Sequence, residues 1–94
     1  MEKSATKASV LMKALSNETR LILLCQLGEK EYSVNELAEL LDKRASSISQ
    51  QLSLLRKDGL VETRREGQTI FYSLHGEEAK SIIDTLYNLY CKET

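Results

Sequence analysis

The sequence predicts a small, mainly α-helical fold closed by one β-hairpin, and three observations carry that expectation. Apolar residues recur at helical spacing over five segments, two β-rich runs flank a single Gly near position 67, and no Pro interrupts the chain. At 94 residues the chain can enclose one modest core, so residues 1–94 are expected to form one domain.

No apolar run approaches the ~20 residues that span a bilayer, so no membrane association is expected. The start, MEKSATKAS, lacks the apolar stretch of a signal peptide. A cytoplasmic location is the expectation, and thiols there are kept reduced. Cys25 and Cys91 are then inert core residues or reactive ones, not a permanent staple.

The first helix is expected over residues 4–15, where Ala5, Ala8, Leu11, Met12 and Leu15 keep helical spacing. Ser16-Asn17 offers an N-cap for a second helix, about 17–27, which Gly28 would end. Leu21 through Leu24, Cys25 and Leu27 leave that helix almost no polar face, so burial on all sides is expected. Ser33-Val34-Asn35-Glu36 has capping-box form and opens a third helix to about Leu41.

Asp42-Lys43-Arg44 is a tight link to a fourth helix, about 45–58, with Ile48, Leu52 and Leu55 on one stripe and Gly59 at its end. Leu60–Arg65 and Thr69–Leu74 read as a hairpin around Glu66-Gly67-Gln68. A fifth helix, about 77–92, carries a broad apolar stripe of Ala79, Ile82, Ile83, Leu86, Leu89 and Tyr90 that so small a core would struggle to cover.

Charge is unevenly spread. The chain nets −1, yet residues 43–72 hold six Lys/Arg against three Asp/Glu. On the fourth helix the face opposite Ile48, Leu52 and Leu55 carries Ser46, Gln50, Ser53 and Lys57, with Ser47 and Ser49 on its shoulders. Short polar side chains let a helix approach base edges in a DNA major groove, and a helix N-terminus attracts phosphate. A short helix, a tight turn and this polar helix make a helix-turn-helix, and the hairpin is a candidate wing with Arg64, Arg65 and Gln68 near its tip. Candidate DNA-binding residues are therefore Arg44, Ser46, Ser47, Ser49, Gln50, Gln51, Arg64, Arg65 and Gln68, with double-stranded operator DNA as the partner.

The stretches MKALSNETRLILLCQL and SSISQQLSLLRKDGLVETRREGQTIFYSL resemble the ArsR-type winged helix-turn-helix repressors over nearly the whole chain. That resemblance implies a homodimer built on the first and last helices, which would cover the apolar stripe. It also implies two recognition helices in successive major grooves of a near-palindromic operator.

Members of that family respond to ions or small molecules. Val34-Asn35-Glu36-Leu37 opens the third helix without the Cys that soft-metal sensors carry there, and His75 is the sole His, so no metal site and no cofactor are expected. Cys25 and Cys91 instead resemble the thiol pair of the persulfide-responsive branch. The resemblance implies a redox-sensing pair, reactive sulfur species as inducer, and release of the operator when a sulfur bridge forms. Peroxide or soft-metal induction stays open, as does a constitutive DNA binder that displaces another DNA-coating protein.

Other classes are less well served. There is no Ser/His/Asp set, Gly-rich phosphate loop or Cys-x-x-Cys motif to support an enzyme. A winged helix used for protein contacts alone predicts weak, salt-insensitive DNA binding.

Overall fold

The computed structural model describes residues 2–91, the last of them by backbone alone. Helix α1 spans Glu2–Leu15 and α2 spans Glu18–Glu29; a short strand β1, Tyr32–Ser33, precedes α3, Val34–Leu41, and α4, Ala45–Lys57. Strands β2, Val61–Glu66, and β3, Thr69–Leu74, form the hairpin, and α5, Glu77–Leu86, runs into a π-helical turn at Tyr87–Cys91.

The core gathers one stripe from each helix. Leu11 and Ala14 of α1 meet Leu23, Leu24 and Leu27 of α2, Leu37 of α3, Ile48, Leu52 and Leu55 of α4, and Ala79 and Ile83 of α5. Leu60, Val61 and Leu74 close it from the stem of the hairpin. Burying these side chains supplies the main driving force for folding, about 1.5–3 kcal/mol for each fully buried Leu or Ile before entropic costs.

Local signals hold where they rest on hydrogen bonds. The Asn17 side chain caps α2 by accepting from the Arg20 N–H at 3.0 Å. At the head of α3 both halves of the capping box form: Glu36 N–H donates to Ser33 Oγ at 3.2 Å, and Ser33 N–H donates to Glu36 Oε1 at 2.9 Å.

Five expectations need correction. The hairpin belongs to a three-stranded antiparallel sheet of order β1-β3-β2, because Tyr32 and Ser33 pair with Tyr72 and Phe71. A two-residue strand is too short to show alternation in a sequence. Glu66 pairs with Thr69, so the turn is only Gly67-Gln68, with Gly67 at φ 62.

Gly28 does not end α2, which continues through Glu29 and is capped by the Lys30 N–H donating to Gln26 O. A Cβ at Gly28 would sit 3.1 Å from Ile83 Cγ2 and 3.6 Å from Leu74 Cδ1, so this Gly serves the approach of α5 to α2. Nor is α2 buried all round: Leu21 and Cys25 are half-buried and Ile22 is 36% exposed.

The last helix changes pitch at Tyr87. Only Ala79 and Ile83 of its stripe are buried, whereas Leu89 and Tyr90 are 69% and 81% exposed. Lys92, placed on this helix by the sequence pattern, lies outside the described residues.

Candidate nucleic-acid interface and thiol pair

Helices α3 and α4 pack across the turn Asp42-Lys43-Arg44, where Asp42 takes a left-handed φ of 54 and Lys43 N–H donates to Ala38 O at 2.9 Å. That geometry stops α3 abruptly and sets α4 at an angle to it. Ile48, Leu52 and Leu55 anchor α4 with no exposure. The opposite face is thereby turned out: Ser46, Ser47, Gln50, Ser53 and Lys57 are exposed and Ser49 is half-buried on its shoulder.

Arg44 occupies the N-cap position of α4 without a side-chain cap, and with Lys43, Asp42 and Ser47 it lines a shallow hollow at the helix start. Two cations beside the positive end of a helix suit an anionic oxygen. Lys43 was missed as a candidate, although its charge and its place beside Arg44 are visible in the sequence.

The wing adds a second surface. Because strand side chains alternate, Arg65 shares a face with its cross-strand partner Ile70 and with Tyr72, while Arg64 shares the other face with Phe71. Ile70, Tyr72 and Gln68 border a groove whose opposite wall is Ser33, Asn35 and Ser49. Arg65 is exposed at the wing tip, its Nε donating to Gly67 O at 3.2 Å. Arg44 and Ser47 thus share the hollow at the head of α4 and Ser49 and Gln68 the groove beside the wing, while Ser46, Gln50 and Arg65 are exposed.

Two candidates are held by contacts within the chain. Gln51 is half-buried and accepts from Arg20 Nη1 at 3.5 Å, a long bond; Arg20 also donates to the last carbonyls of α1, through Nε to Ala14 O at 3.1 Å and Nη2 to Lys13 O at 3.3 Å. Arg64 donates through Nε to both carboxylate oxygens of Glu31 at 2.9 Å and through Nη1 to Glu66 Oε2 at 2.7 Å. Those bonds hold the Glu31 carboxyl below its ordinary range and raise the already high basicity of Arg64. Neither Arg20 nor Glu31 stood out in the sequence, since an isolated Arg or Glu carries no periodic signal.

Of the thiol pair, Cys25 is half-buried against the core on α2. Cys91 closes the π-helical turn after α5, and its side chain lies outside the described residues. Helix α2, which bears Cys25, meets α5, the helix that leads into the turn ending at Cys91, where Gly28 faces Ile83. Among the described residues no group of three or more His, Cys, Asp or Glu is placed to hold a metal ion. His75 Nδ1 lies 2.8 Å from Glu62 Oε2 at the stem of the wing. No described helix is long and apolar enough to cross a membrane.

Residues 17–63 match the family described as bacterial regulatory protein, arsR family. The chain is 51% identical over 92 residues to the transcriptional activator HlyU of Vibrio cholerae, covering 98% of this chain and 85% of that one. It is 46% identical over 91 residues to the biofilm growth-associated repressor of Agrobacterium fabrum, covering 97% and 78%. The solved structure of reduced HlyU from Vibrio cholerae N16961 superposes with a TM-score of 0.93 at 51% identity, covering 98% of this chain and 97% of that one. Helix-turn-helix, wing and matched sequence agree: this chain is a winged helix-turn-helix transcriptional regulator and belongs to the ArsR family of bacterial regulatory proteins.

Proposed function

We propose that the chain is a cytoplasmic, homodimeric repressor that binds a near-palindromic operator and lets go when reactive sulfur species bridge Cys25 and Cys91. The observation that carries the DNA-binding half is the outward face of α4, with Ser46, Ser47 and Gln50 exposed over a fully buried Ile48-Leu52-Leu55 stripe and Arg65 on the adjoining wing. Ser and Gln at the head of α4 read base edges in the major groove; Arg44 and Arg65 hold phosphates on either side.

A second copy supplies what the apolar face lacks. Val10 and Met12 of α1 and Tyr87, Leu89 and Tyr90 after α5 are all exposed in the isolated chain. Packing two copies through these elements buries that face and sets the two α4 helices for successive turns of the duplex. A relative in Mycobacterium bovis, 28% identical with a TM-score of 0.83, is described as a homodimeric winged helix-turn-helix DNA-binding domain.

The sulfur chemistry balances without a further oxidant. Each Cys thiolate attacks the outer sulfur of an organic persulfide, releasing the organic thiol and leaving a protein persulfide. The terminal sulfur of the Cys25 persulfide then attacks Sγ of the Cys91 persulfide and expels hydrosulfide, giving a trisulfide. That bridge ties α2 to the segment after α5, alters the dimer that positions α4, and lowers operator affinity by about 1–3 kcal/mol, the usual span of such coupling. The meeting of α2 and α5 at Gly28, and a relative solved in a form described as reduced, support this reading.

The DNA-binding half is tested by selecting duplexes from a random pool and measuring affinity across salt concentrations. Arg65→Ala is expected to weaken all sequences alike and cut the slope of log K against log salt by about 0.9, the contribution of one phosphate contact. Gln50→Ala is expected to relax sequence choice instead. Salt-insensitive binding unchanged by both substitutions would make the domain a protein-binding module.

A further inference from the structure

We infer that Arg64 is a positioning residue, anchoring the wing to Glu31 at the end of α2, and not a phosphate contact. The inference rests on the operator-binding reading above, because a wing needs a fixed orientation only if it docks on something.

Arg64 is committed on three sides. Its Nε lies 2.9 Å from each Glu31 carboxylate oxygen, its Nη2 also donates to Glu31 Oε1, its Nη1 is 2.7 Å from Glu66 Oε2, and its guanidinium carbon sits 4.8 Å from the centre of the Phe71 ring. Phe71 is its partner across the hairpin, so the cation lies on the strand neighbour that shares its face. Glu31 follows α2 by two residues and precedes β1, 33 positions from Arg64 in the chain. A planar guanidinium with five donors in a fixed fork is the side chain suited to such a two-oxygen grip.

The wing depends on this grip because little else holds it. β1 offers β3 only the pairs Tyr32 with Tyr72 and Ser33 with Phe71. Residues 64–70, from Arg64 through the turn to Ile70, are exposed, and the pairs Arg65 with Ile70 and Glu66 with Thr69 extend beyond the last rung shared with β1. The Arg64–Glu31 bond sits at that rung. Strand alternation also turns Arg65 toward the side shared with Ile70 and Tyr72, two residues that border the groove, and Arg64 toward the other. For Arg64 to reach a phosphate it would have to leave two carboxylates and an aromatic face.

The two roles predict opposite signs. Glu31→Gln removes a negative charge near a polyanion, so if Arg64 were a phosphate ligand held in reserve, releasing it would tighten binding. As an anchor, its loss loosens the wing and weakens binding. Arg64→Lys keeps the charge and suits a point contact with phosphate, yet it cannot reproduce the fork.

The experiment measures the 94-residue chain on a duplex it selects from a random pool, across salt concentrations, for wild type, Glu31→Gln, Arg64→Lys and the reference Arg65→Ala. Backbone 15N relaxation of residues 65–68 is recorded on the protein without DNA. The expected result is binding about two- to fivefold weaker for Glu31→Gln and Arg64→Lys, the scale of an exposed ion pair, with an unchanged salt slope. Residues 65–68 are expected to lose order in both variants. Tighter binding by Glu31→Gln, or wild-type behaviour of Arg64→Lys with a rigid wing, overturns the inference while leaving the operator reading intact. If wing order falls in both variants but the wild type selects no duplex, the anchor stands as a structural feature and the operator reading is overturned.

Discussion

Gly28 of α2 and Ile83 of α5 meet so closely that a Cβ on the former would lie 3.1 Å from Cγ2 of the latter, a side chain that is itself only 2% exposed. Gly28→Ala would ordinarily stabilise a helix by ~1 kcal/mol. Here Ile83 cannot retreat without disturbing Leu74 and the core, and overpacking of that kind costs ~1–3 kcal/mol. The net expectation is a destabilisation of about 1 kcal/mol in chemical denaturation. A gain in stability would show that α5 yields easily at this contact.

Ser33 caps α3 in a reciprocal pair with Glu36. Ser33→Ala removes the acceptor for an orphan N–H at the start of the helix-turn-helix and is expected to cost ~1 kcal/mol. Urea denaturation checks it, and an unchanged midpoint would mean that water replaces the cap without loss.

Leu89 and Tyr90 are the most exposed large apolar residues described. If a second copy covers them, Leu89→Asp places a charge in the interface and is expected to shift sedimentation from dimer to monomer and abolish operator binding, with helical circular dichroism retained. A dimer undisturbed by this change would move the interface away from the segment after α5.

Glu31 gives a prediction about pH. Hydrogen bonds from Arg64 hold its folded-state pKa below the unfolded value, so the contact favours the wing at every pH above that unfolded value. The favourable contribution is lost only as pH falls through the lowered folded pKa. Arg64 side-chain NMR signals are therefore expected to stay constant from about pH 7 to about pH 5, a range that lies above ordinary carboxylate titration. A change within that range would indicate that another group controls the wing.

Much of this molecule was legible because its signals are local or periodic. Ile48, Leu52 and Leu55 fix which face of α4 is buried, and the exposed Ser46 and Gln50 follow from that register. Ser33 and Glu36 announce the start of α3 in four residues. The strand at Tyr32–Ser33 was hidden, since two residues carry no alternation. The inward commitments of Gln51 and Arg64 were hidden too: they depend on Arg20 and Glu31, which lie 31 and 33 positions away and become neighbours only when α2 packs. Gly28 carried a misleading signal, for a Gly after an apolar run reads as a helix end when it is spent on a close helix crossing.

The central claim, that a sulfur bridge between Cys25 and Cys91 controls operator affinity, is tested most directly by treating the reduced protein with an organic persulfide and, separately, with peroxide. Intact and tandem mass spectrometry of the Cys25 and Cys91 peptides is read beside operator binding. The account predicts a cross-link containing added sulfur from the persulfide alone, with loss of DNA binding that a reducing thiol reverses. A plain disulfide formed equally by both reagents would contradict the sulfur-specific claim and describe a general thiol switch, and full operator binding with no cross-link would show that the pair does not sense sulfur.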